Sequence, residues 1–164
     1  MRREGVAATE TAGSGMGRSG SNIVEGRGTL LYVAAALVSL IGLADAVYLT
    51  IEHLAGRSVQ CTIVAGCSQV LASPYATVGP VPLAGIGALA YFTVFSCATL
   101  SVFGYSLARS LLTVVVALMF LATLWLLIVQ AFILRAFCAY CLLSAAVTVT
   151  LAIIVVAARY SRRG

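Results

Sequence analysis

A chain of 164 residues that is 62% hydrophobic and only 9% charged cannot cover a soluble domain of its size with polar surface. With a mean hydropathy of +1.07, it reads as a polytopic membrane protein. Its formal charge of +5 rests on ten basic residues, all arginine and set at the ends of apolar segments, so they read as topology signals rather than a nucleic-acid groove.

The stretch from Met1 to Gly28 is rich in Gly, Ser, Ala and charge, a composition expected to leave a disordered cytoplasmic tail. A four-span membrane domain is expected over residues 29–160, since about 20 apolar residues cross a hydrocarbon core about 30 Å thick. The first span is Leu30–Thr50 and runs into "GLADAVYLTIEH". Ala44-Asp45-Ala46 imitates a signal-peptide cleavage site, but the long polar head and full-length apolar run favour an uncleaved helix. A loop follows from about Ile51 to Val81, with Gly56, Gly66, Pro74, Gly79 and Pro80 marking turns and one short helix expected near Ser68–Ala72. The second span is Pro82–Phe103, and a short link through Gly104–Ser110 leads to the third, Leu111–Leu134. A still shorter link, Leu134–Phe137, opens the fourth, Ala139–Ala158, with a basic tail at 161–164.

These spans predict an all-α fold, a four-transmembrane-helix bundle with one elaborated loop. Arg2, Arg3, Arg18, Arg27, Arg109, Arg159, Arg162 and Arg163 would lie on one side, and only Arg57 and Arg135 on the other. The positive-inside rule therefore puts both termini in the cytoplasm and the loop outside. Cys61 and Cys67 in the loop then share the outer face with Cys138 and Cys141. That is the oxidising side, where disulfides form and persist.

The five cysteines divide as two, two and one. Cys97, inside the second span, reads as a small buried apolar residue. Cys138 and Cys141, in "FCAYC", fall on one face of a helix start, where the helix dipole favours a thiolate and the short spacing favours a readily reduced disulfide. A redox pair is the leading reading, beside a structural disulfide and a metal site. Zinc would need further ligands, and the single His is His53. For Cys61 and Cys67, in "CTIVAGC", a loop staple and a redox role stand level. Two pairs on one face can form a relay by thiol–disulfide exchange.

Among the polar residues, Asp45 in the outer part of the first span is a candidate for a proton or hydrogen-bonding role, because a carboxylate in a membrane is costly. Glu52 and His53 read as interfacial residues, and Gln130 as an interhelical hydrogen bonder or a ligand contact. Arg135 is either an interfacial anchor or a stabiliser of a Cys138 thiolate, and Tyr91 and Trp125 read as packing.

The order of these features resembles the bacterial branch of the vitamin K epoxide reductase (VKOR) family. The residues that carry it are the two cysteine pairs, "GLADAVYLTIEH", "GCSQVLASPYATVGPVPLAGIGALAY" (Gly66–Tyr91) and "FILRAFCAYCLLSA" (Phe132–Ala145). The resemblance implies an enzyme that reoxidises a separate thioredoxin-fold (DsbA-like) protein and reduces a quinone, of menaquinone, ubiquinone or vitamin K type, with no metal. By that resemblance Cys61 would exchange with the partner, Cys67 with Cys138, and Cys141 would face the quinone. Ser73, six residues after Cys67, would help position the loop and the quinone headgroup. The expected setting is a bacterial cytoplasmic membrane with the site on the extracytoplasmic face. Vertebrate members use an Asn near the start of the second span and a Tyr four residues after the second active-site Cys; here Leu83 and Ala145 stand there. Quinone reduction is thus favoured over vitamin K epoxide reduction. The alternative from another class is a membrane assembly subunit held by two structural disulfides.

Overall fold

The computed structural model describes residues 17–56, 77–78, 81–135 and 137–161. Among them are four long helices, α1 (Gly17–Leu54), α2 (Leu83–Val102), α3 (Ser106–Ile128) and α4 (Ala139–Tyr160). Between α3 and α4, Val129–Leu134 continues the third span as a π-helical turn and a half. Among the described residues, four stretches are long and apolar enough to cross a membrane: Gly28–Leu54, Leu83–Val102, Ser106–Leu134 and Ala139–Tyr160. Even α2, with 20 residues, reaches about 30 Å at about 1.5 Å per residue.

Two boundaries differ from expectation. Helix α1 starts at Gly17, within the stretch expected to be disordered. Adding a turn to an existing helix costs far less than nucleating one, so the span propagates into its flank. Helix α3 begins at Ser106 rather than near 111, because the preceding turn is tighter than its sequence suggested. Gly104, at φ +93°, donates to the Ser101 carbonyl, and Tyr105 donates to that of Leu100. This pair of bonds closes α2 as a Schellman motif and frees the chain to reverse at once. Before α2, the strands β1 (Thr77–Val78) and β2 (Val81–Pro82) pair antiparallel, Thr77 with Pro82 and Val78 with Val81. The short helix expected near Ser68–Ala72 lies outside the described residues, as do Cys61, Cys67 and Ser73.

Helix α1 packs along α2 and α4, and α3 packs against the same two helices, so α1 and α3 stand diagonally across the bundle. The core runs through Tyr32, Ala35, Val94, Ala98, Leu112, Val116, Leu151 and Val155. Small residues let backbones approach, as membrane helix packing requires. At Gly42, an added Cβ would overlap the ring of Tyr91. That buried ring crosses from α2 to α4, where its hydroxyl meets Ser144 Oγ at 2.8 Å and Thr148 Oγ1 at 3.0 Å. Tyr91 thus joins three helices. The outward faces carry exposed Leu37, Leu89, Leu118 and Ile153, a surface suited to lipid. This is a four-helix membrane bundle.

Candidate functional site

The site forms where the third span ends. The π-helical turn closes on Arg135, which takes the left-handed conformation at φ 49° and donates its N–H to the Gln130 carbonyl. A non-glycine residue rarely rests there, and the strain costs on the order of 1 kcal/mol or more. The chain then reaches Cys138, the N-cap of α4, with extended φ and ψ of −101° and 123°. Its carbonyl accepts the first helical bond, from Leu142 N–H at 3.0 Å. Cys141 is therefore the third residue of the helix. The Cys-x-x-Cys spacing thus occupies the N-cap and N3 positions, the two that face each other in a capping box.

Both thiols are free. Cys138 is fully buried and Cys141 half-buried. A hydrogen bond from the Cys141 thiol lowers the Cys138 pKa from 9.0 to about 7; burial opposes this, as does the Asp45 carboxylate, while the backbone amides of Cys141 and Tyr140 assist. The helix N-terminus does here what the position predicts. Arg135 is exposed and is not among the groups acting on that sulfur. Of its two expected roles, interfacial anchor is the one its position fits.

Gln130 is buried, at 4% exposure. Its Oε1 accepts the backbone N–H of Cys138 at 3.2 Å. Sequence reasoning offered an interhelical bond or a ligand contact for Gln130. It did not connect this residue to the cysteine pair, because the link depends on the π turn.

Beside the pair lies a cavity of about 360 Å³ between the four helices, with Cys141 and Gln130 in its wall. Its lining is dominated by apolar side chains such as Leu49, Met119, Leu126 and Leu127. Asp45 also lines it, buried at 8% exposure with Oδ2 lacking a hydrogen-bond partner. An isolated buried carboxylate oxygen is costly in such surroundings. The size, the apolar wall and a few polar groups at one end fit a planar, lipid-soluble ring. Leu83 and Ala145, the positions where the sequence departs from the vertebrate pattern, both face this cavity.

The remaining candidates divide. His53 sits on the cavity rim, and no group of three or more potential metal ligands occurs among the described residues. Tyr91 packs as expected but also lines the cavity. Trp125 does not pack inward; it is 61% exposed on the outward face, where an indole suits a lipid or interfacial setting. Cys97 is buried in the core, as expected. The profile of the vitamin K epoxide reductase family matches residues 33–156, from within the first span into the fourth. No individual curated protein matches the chain.

Proposed function

This chain belongs to the vitamin K epoxide reductase family, and from that premise we propose that it reoxidises a separate thioredoxin-fold (DsbA-like) protein at the expense of a quinone. The family as a whole consists of membrane oxidoreductases that link thiols to quinones. In the proposed path, electrons enter at Cys61 and Cys67, pass by disulfide exchange to Cys138 and Cys141, and leave to the quinone. Ser73 would steady the loop over the headgroup. The arginine distribution supports a site on the extracytoplasmic face of a bacterial cytoplasmic membrane.

One observation carries this reading: a cysteine pair at a helix N-terminus has its first thiol, Cys138, acidified and its second, Cys141, in the wall of an apolar cavity. A bound quinone would supply a two-electron, two-proton acceptor, matching what a dithiol releases on becoming a disulfide. The chain's own groups do the rest. Cys141 lies in the cavity wall, and Asp45 beside it offers a free carboxylate oxygen to receive a thiol proton and pass it inward. Leu49, Leu126 and their neighbours keep water from the pair. Epoxide opening would call for a proton donor against the substrate ring, and the apolar Leu83 and Ala145 give that reading less support than quinone reduction.

The decisive experiment mixes purified protein, a quinone and a reduced thioredoxin-fold protein. One quinol per partner disulfide is expected; partner oxidation without quinol would overturn the reading. The internal path has its own check in a Cys61→Ala, Cys141→Ala variant, where both resolving thiols are missing. A Cys67–Cys138 cross-link should accumulate and appear by peptide mass spectrometry. Free thiols at both positions in folded protein would instead favour a loop staple.

A further inference from the structure

Gln130 performs two tasks at once, and its chemistry explains why an amide stands there. An N–H can only donate, so the side-chain atom facing Cys138 N–H must be the oxygen. That bond fixes the orientation of the whole amide beside the pair. The main-chain carbonyl of Gln130 meanwhile accepts from Arg135. One residue therefore pins the turn at both ends, once by its backbone and once by its side chain. The π turn makes this possible. Its wider winding re-aims the third span just before the link, and such turns recur at functional sites.

We propose that Gln130 is the positioning residue of the Cys138–Cys141 pair, holding the Cys138 N–H so that its sulfur stays at the N-cap, where the reduced form is favoured. This rests on the redox reading of that pair. The amide keeps its acceptor at every pH without setting a negative charge beside the Cys138 sulfur, as a carboxylate in the same place would. Its buried position also makes the bond costly to lose, since an orphaned buried amide sacrifices its full desolvation energy. A helix N-terminus aimed at a Cys138 thiolate stabilises the dithiol state over the disulfide. The pair is thereby made easier to reduce by the loop pair, which feeds it.

The test uses the full chain in detergent, carrying Cys61→Ala and Cys67→Ala so that only the terminal pair responds to a glutathione redox buffer. Gln130→Met keeps the size and removes the bond to the Cys138 N–H. It should shift the thiol–disulfide equilibrium toward the disulfide by about tenfold, or about 30 mV toward more reducing potential. Gln130→Glu keeps the acceptor for Cys138. When ionised it sets a negative charge beside the Cys138 thiolate, and when protonated that repulsion is gone. Its deficit relative to the parent should therefore be largest at high pH and shrink as pH falls. Asp45 on α1 is the other carboxyl beside the pair, and it is common to parent and variants, so the comparison cancels its contribution. Melting temperature and circular dichroism are measured on the same samples. A purely structural role would lower the melting temperature with no change of potential, and that outcome overturns the proposal. So does failure of both variants to fold. Because no quinone or partner is present, a shifted potential in a protein that forms no quinol would retain this role of Gln130 and sink the proposed function instead.

Discussion

Cys97 and Cys138 are both buried cysteines in apolar surroundings, at 7% and 0% exposure, yet only one is equipped for chemistry. Cys97 sits in mid-α2, where every nearby N–H is committed to the helix and core side chains surround the sulfur. Cys138 sits at an N-cap, where first-turn amides lack helical partners and a second thiol lies one turn on. Burial alone makes a cysteine inert; burial at a helix start, beside a donor, makes it acidic. Position within the secondary structure separates the two.

The largest test of this contrast is loss of turnover. Cys138→Ser or Cys141→Ser should reduce quinol formation to background while the protein stays folded, whereas Cys97→Ser should turn over like the parent. A Cys138→Ser variant with ordinary activity would erase the distinction. Next in size is an effect on the frame that holds α4 in place. Gly42→Val drives a side chain into the Tyr91 ring, and overpacking of this kind costs about 1–3 kcal/mol. A matching drop in thermal stability is expected, together with slower turnover, because Tyr91 anchors α4 through Ser144 and Thr148. Unchanged stability would mean that the three helices are not joined there.

The third test reads acidity directly. In the reduced protein, alkylation of Cys138 by a small uncharged thiol reagent should rise through about pH 7 and level off, since the lowered pKa leaves the thiolate formed above that pH. A rate still climbing beyond pH 9, the behaviour of an ordinary thiol, would remove the helix-start explanation. The smallest effect belongs to Cys97→Ala, which deletes one buried sulfur and should cost about 1 kcal/mol with no change in the redox potential of the pair.

Much of this protein was legible before its structure. Four apolar runs fix four spans because a bilayer offers no partner for a free backbone amide. The Cys-x-x-Cys at the head of the fourth run points first to a redox pair, beside a structural disulfide and a metal site, and the arginine placement suggests which face it serves. Asp45 also stood out, since a carboxylate is costly among apolar neighbours. These signals are local, carried by composition and short spacing. The start of α1 at Gly17 and of α3 at Ser106 were not local. The first followed from helix propagation, the second from a Schellman turn whose hydrogen bonds the glycine alone did not specify.

Tertiary structure alone decided what surrounds the pair. Nothing in the order of residues says that Gln130, eight positions before Cys138, accepts its N–H. An uninterrupted α-helix would aim that side chain elsewhere, and only the π turn brings it back. The diagonal arrangement of α1 and α3 is likewise a packing outcome, and it is what brings Asp45 and Cys141 into the wall of one cavity. Sequence determines which groups are too costly to leave alone in a membrane. Packing determines which of them meet, because contacts between distant segments depend on helix phase, which a single early turn can reset.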